Sequence, residues 1–244
     1  MAFDTAGNII RDAGVELGLL SGGYIDNPFD STNENILLLV RLLKSVGQEL
    51  VLEREWSWLY KEHIFSTADD VTTYALPADF RRMVNQTGWN RTTQFPLAGP
   101  LSPQEWQYTK GYGTNFSISI LFRPWQQLFQ INPSGDVPPG ETIAYEYISS
   151  YWVQPTGEAE ATLDAPADQE DTLLFPRLLL VRGLKLSFLR ARGFDTTSAE
   201  ADYQRTLDAE SSADSPAAVL ALDGADEDIP RIDASNAPDT GYGS

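Results

Sequence analysis

The sequence predicts an α+β fold: a helical bundle domain with an inserted small antiparallel β domain and an extended C-terminal tail. Three observations predict it. Apolar residues recur at helical spacing over the first fifty positions and again after about position 173, whereas the stretch between them alternates with period two. From Asp214 onward the periodicity ends, and seven acids, one base and three prolines remain. The expected boundaries are residues 1–60 and 169–213 for the two parts of the helical domain, 61–168 for the β domain and 214–244 for the acidic tail.

The first helix is read in "DTAGNIIRDAGVELGLL", where Ile9, Ile10, Ala13, Leu17 and Leu20 share a face and Gly22-Gly23 supplies the stop. Ser31 and Glu34, spaced as a capping box, open a long second helix whose inner face holds Ile36, Leu37, Val40, Leu43, Val46, Leu50 and Val51. After Trp56 the period changes. "VTTYALP", "FSISILFR", "QLFQI" and "ETIAYEYISSYWV" read as strands, the second with Phe116, Ile118, Ile120 and Phe122 on one face. "NPSGDVPPG" joins two of them as a hairpin-type connection, and Ser102 with Glu105 caps a short helix between early and late strands. Helix returns near Leu173, in a segment apolar on most sides that stops at Gly193; Thr197 and Glu200 then cap a last helix with Tyr203 and Leu207 inward.

Composition narrows the function classes. Seventeen basic against thirty-five acidic residues give a net charge of −18, so the molecule as a whole repels nucleic acid. The basic island "RLLLVRGLKLSFLRAR" follows the acidic "EAEATLDAPADQED", a polarity that matches a helix dipole or, alternatively, an acidic neighbouring chain. Without cysteine there is no thiol catalysis or thiolate metal site. No apolar run reaches membrane-spanning length and the N-terminus lacks signal-peptide character, so the residues alone point to the cytoplasm. His63 is the single histidine, expected at a surface or strand edge, and no G-x-S-x-G occurs. "DGADEDIPRID" puts Ile229 and Pro230 where a calcium loop needs a ligand and glycine, and "GYGTN" lacks the third glycine of a dinucleotide loop. The expectation is a protein with no catalytic, cofactor-binding or metal site.

Six tryptophans leave two readings open. Rings among Trp89, Trp106, Trp125 and Trp152, exposed and coplanar, would make a carbohydrate- or receptor-binding module. Trp56 and Trp58 at the helix-to-strand changeover, with Trp152 near the return to helix, instead read as packing at an inter-domain seam. Arg81 and Arg82 follow a strand-to-loop turn, where one of them pairs either with a neighbouring subunit's carboxylate or internally with Asp79. The tail cannot fold alone by composition; Ile229, Ile232 and Tyr242 are its expected anchors on a portal or neighbouring chain. A chain cut at Ala213 is expected to fold and to lose that attachment.

Tyr74-Ala-Leu-Pro-Ala-Asp-Phe-Arg-Arg82, Trp89, "LSPQEWQYTKG", "ETIAYEYISSYWV" and "DTLLFPRLLLVRGLKLSFLRARGFDTTSAEADYQRTL" together resemble the head-to-tail adaptors of tailed bacteriophages, the tail tubular protein A-like portal adaptors. The resemblance runs in order from about Ile36 to Leu207. It implies a structural virion protein of the phage neck, assembled in the host cytoplasm. It further implies a homo-oligomeric ring, commonly of twelve copies, between the portal protein and a tail tube or nozzle protein. Its helical part would abut neighbours and portal, its β part the next tail component, with DNA passing through the channel during ejection without sequence-specific binding. No cofactor, membrane or catalytic set comes with it. The long acidic tail departs from many relatives. Acidic charge would let duplex DNA slide past if it lines the channel, and would serve solubility if it lies outside.

Overall fold

The computed structural model describes residues 3–20, 25–112, 120–132 and 138–214, without the side chain of Tyr112. The chain divides between Asp214 and Ser215, and the described residues all precede that point. Phe116, Ile118 and the tail anchors Ile229, Ile232 and Tyr242 lie outside them. The fold is mixed helix and antiparallel sheet. In chain order it runs β1 (Asp4–Thr5), α1 (Ala6–Glu16), α2 (Glu34–Glu53), a 3-10 turn (Ser57–Leu59), β2 (Tyr60–Ser66), β3 (Thr73–Ala75), β4 (Phe80–Met83), β5 (Trp89–Asn90) and β6 (Phe95–Pro96). It continues with α3 (Pro103–Tyr112), β7 (Phe122–Trp125), β8 (Leu128–Ile131), β9 (Thr142–Ser149), β10 (Val153–Gln154), β11 (Thr172–Leu173), α4 (Arg177–Arg192) and α5 (Thr197–Asp214).

Helix α1 buries Ile9, Ile10 and Ala13, as its spacing requires, and ends at Gly18, whose φ of 68° no side chain opposes. The stop therefore comes one turn before Gly22-Gly23. Helix α2 begins one residue inside its true cap: the Asn33 side chain accepts from the Asn35 amide at 2.9 Å, while Ser31 caps Asn33 itself. The Ser31–Glu34 box does not form. Leu39, absent from the expected inner face, is fully buried beside Ile36 and Leu43. Only α3 carries its expected box among the described residues: the Ser102 amide donates to Glu105 at 2.8 Å, and the Glu105 amide to Ser102 Oγ at 3.3 Å. At α5 the expected Thr197–Glu200 pair gives way to Asp195, which accepts from the Thr197 amide and hydroxyl, and Glu200 is drawn off to Arg190.

Leu173 is not helical. It forms the middle strand of the small sheet β1–β11–β10, and helix resumes only beyond Pro176, which cannot accept a preceding helical turn. Helix α4 then touches α1, α2 and α5, burying Leu179, Leu180, Leu184 and Phe188, and closes on Gly193 with φ 70°. Into this helical cluster also pack Trp56, Trp152 and Phe175, all fully buried, together with Ile148 from β9.

A second core belongs to the sheets. Strand β9 is central to the larger one, with β2 along one edge and β4 and β5 along the other. Its alternation serves two cores: Ile143, Tyr145 and Tyr147 face the sheet core, while Ile148, of opposite parity, faces the helices. Across from it stands the sheet β3–β8–β7. The rings of Phe122, Phe129 and Tyr145 stack in series at 5.1 and 4.9 Å, joining the two sheets through one aromatic column. Ile120 and Phe122 lie in this core, as the period-two reading requires.

Candidate functional site

Side chains with reactive potential are engaged in holding the fold. His63 sits half-buried on edge strand β2 against Tyr145, and burial lowers its pKa more than the field of Asp79 raises it. Asp79, buried where the chain enters β4, is the hub of a polar network. Ser149 Oγ donates to it at 2.7 Å, and Lys61 Nζ and Tyr147 Oη each at 2.9 Å. Its backbone carbonyl accepts from the Ser150 amide at 2.7 Å. Burial pushes the Asp79 carboxyl up, but the hydrogen bonds from Ser149, Lys61 and Tyr147 and the Lys61 charge outweigh it and hold the group below the usual carboxylate range. Tyr147 is pushed up in turn, by burial first and then by Asp79. The network ties β2, β9 and the entry to β4 together.

Asp79 thus takes Lys61, and neither neighbouring arginine. Arg82 pairs with Glu55, and Arg81 donates to the Leu52 carbonyl at 3.2 Å, both reaching toward the end of α2. The basic island of α4 is also spoken for within the chain: Arg177 meets Asp12 and Asp4, Lys185 meets Glu16, and Arg190 meets Glu200. These cations clamp α4 to α1 and α5, each exposed pair contributing little by itself. Arg190 and Arg192 fall in the last turn of α4, where the helix dipole favours cations.

The six tryptophans separate by burial. Trp56 stacks on Trp58 at 4.8 Å and sends its indole N–H to the Leu50 carbonyl at 2.7 Å. Phe175 meets both edge-on and lies 5.8 Å from Trp152, whose N–H donates to the Asp164 carbonyl at 2.8 Å. Trp106 is 5% exposed and Trp152 fully buried, so the four-indole platform of the carbohydrate reading is not present. Trp89 and Trp125 remain about half exposed, on separate sheets. Trp89 borders an open groove of about 600 Å³ with Glu62, Gln86, Arg91 and Glu146, across which Arg91 already pairs with Glu62. Among the described residues no group of acids and histidine is placed to hold a metal ion, and no helix is long and apolar enough to cross a membrane.

The described residues thus form two cores, one of helices and one of sheets. A family model described as SU10 adaptor protein matches residues 4–220. The chain belongs to the SU10 adaptor protein family. No curated protein matches the sequence. Membership makes the chain a structural phage adaptor, and the matched span covers every described element from β1 to α5. In an SU10 adaptor protein the useful residues are those that fix shape and those that meet neighbours. Sequence reading singled out Trp56, Trp58 and Trp152, whose rings all lie against Phe175. It missed the Asp79–Lys61 pair and Arg123, which lies between Trp106 and Trp125 in space. The available signal for the latter was Arg123-x-Trp125, two residues on one face of a strand.

Proposed function

We propose that this SU10 adaptor protein is a subunit of a twelve-copy ring that joins the portal protein to the tail tube or nozzle of a tailed phage, with DNA passing through the ring. The family match over residues 4–220 carries the reading. Residues 1–60 and 169–213 act as one body and 61–168 as the other, with Trp56, Trp58 and Trp152 at the seam. Two bodies joined where Ile148 and Trp152 enter the helical core would give two docking surfaces along an assembly axis, while a heterologous contact repeated around the circle closes the ring. Arg81 or Arg82 exchanges its partner within the chain for a carboxylate of the adjacent subunit. The tail, through Ile229, Ile232 and Tyr242, docks on the portal or an adjacent subunit, because its composition supports order only against a partner.

The test is attachment. Asp214 closes α5 onto the 3-10 turn: its carboxylate accepts from the Ser57 amide at 3.0 Å and from the Ser57 hydroxyl. A cut after Asp214 therefore keeps the helical packing that a cut at Ala213 would loosen. The chain ending at Asp214 is expected to keep its unfolding midpoint and to lose sedimentation with portal-bearing capsids, which the full chain retains. Equal sedimentation of the two chains would remove the tail from the docking mechanism; failure of the full chain to sediment would remove the portal from it.

A further inference from the structure

Most cations in the described residues that face a carboxylate do so within the chain, as Arg82, Arg91, Arg177, Lys185 and Arg190 do. Arg123 on β7 is different. Its guanidinium carbon lies 4.3 Å from the Trp106 ring centre and 4.7 Å from that of Trp125, so two indoles pack on it. Its Nε donates to Gln130 at 2.9 Å. Stacking uses the faces of a guanidinium, whereas its hydrogen bonds lie in plane; with Nε engaged, the outer nitrogens form the remaining fork. Trp106, Lys110, Thr72, Thr73 and Gln130 line with it a small cavity of about 150 Å³. Two cationic residues and two threonines line it, and among the described residues no acidic residue lines the cavity and none forms an ion pair with Arg123 or Lys110. Such a cavity stands out on a chain of net charge −18.

We propose that this cavity is a receptor for a carboxylate side chain from an acidic peptide segment of a neighbouring protein. Arg123 supplies the in-plane fork and Lys110 the second charge. Trp106 and Trp125 hold the guanidinium in place, which spares the rotamer entropy that a free arginine loses on pairing. The planar fork fits a carboxylate two-to-two, and half-exposed Trp125 offers an apolar surface to the peptide beside it. Copies of a chain of net charge −18 repel one another, and a point of local attraction offsets part of that repulsion. The inference rests on the adaptor reading only in placing the peptide on a neighbouring virion protein.

The experiment is a titration of the full chain, with its tryptophan indoles labelled with nitrogen-15, by an acetylated and amidated tetraglutamate peptide at fixed ionic strength. Tetraglutamine and inorganic phosphate are titrated in parallel, and Trp125→Phe assigns one of the two relevant signals. The indole signals of Trp106 and Trp125 are expected to move saturably with tetraglutamate and not with tetraglutamine, while those of Trp56 and Trp152 stay fixed and report an intact fold. Arg123→Lys keeps the charge without the fork and is expected to weaken binding about tenfold, and Lys110→Gln less. Should Arg123→Lys disturb the fixed signals, Lys110→Gln at the exposed rim carries the comparison. Absence of saturable movement, equal movement in both variants, or response to phosphate but not to the peptide would overturn the proposal. Portal attachment is read separately, so either result can fail without the other.

Discussion

Gly47→Ala is expected to destabilise the protein by about 2 kcal/mol, although the same change in an exposed helix would stabilise by about 1 kcal/mol. The reversal comes from one contact. A methyl group at Gly47 would meet the Trp152 ring at 2.0 Å from Cζ2 and 2.2 Å from Cη2, well inside the closest approach of two carbon atoms. Trp152 cannot step aside, because its N–H is tied to the Asp164 carbonyl and its ring is fully buried beside Phe175. Helix α2 is equally fixed, since Val46 and Leu50 on either side of Gly47 are in the core. The measurement is the urea midpoint followed by tryptophan fluorescence, with the slope unchanged. Adding Trp152→Phe should recover part of the loss, a coupling above about 1 kcal/mol. A neutral or stabilising Gly47→Ala would mean that Trp152 does not lie on α2.

Asp79→Ala is expected to lower stability by about 2–3 kcal/mol, just under the roughly 3–5 kcal/mol range for breaking a fully buried pair. The discount reflects Lys61, whose side chain is 22% exposed and so recovers some hydration when its partner is lost. Tyr147, in contrast, is left with a buried hydroxyl and no acceptor, while Ser149 falls back on the Tyr151 carbonyl at 3.2 Å. Asp79→Asn keeps the shape but loses the charge, and is expected to cost less. The pH dependence separates charge from shape. Because the folded carboxyl titrates below its unfolded value, its contribution is complete above about pH 4 and is lost as pH falls through the folded pKa. Asp79→Asn should therefore show a flatter loss of stability below about pH 4 than the unsubstituted chain. Parallel acid profiles would contradict the charge assignment.

Local features were legible where the deciding group lies within a turn of the residue it serves. The Ser102–Glu105 box and the Gly193 stop are of this kind, as is the inner face of α1. The same locality explains the errors at α2 and α5, where several short polar residues compete and Asn33 and Asp195 win by geometry that spacing alone does not rank. Leu173 was misread because a short apolar run fits strand or buried helix equally, and only its pairing with Asp4 and Val153 decides between them. Asp79 and Lys61 are brought together by the pairing of β2 and β4 with the two sides of β9, a fact about register that no window of sequence contains. Arg123 needed two elements, α3 and β7, to be placed against each other before its surroundings existed. The tryptophans divided for a related reason: burial follows what lies opposite a ring, and no spacing in the sequence says that Trp106 closes over an arginine.

This SU10 adaptor protein is expected to work as a shaped connector between two larger virion components. Electron cryo-microscopy of the intact phage neck tests it most directly. The account predicts a closed ring of this chain seated between portal and tail, with residues 1–60 and 169–213 on one side of a Trp56–Trp58–Trp152 seam and 61–168 on the other. Density for the chain at the far tip of the tail, or inside the capsid away from the portal, would contradict it.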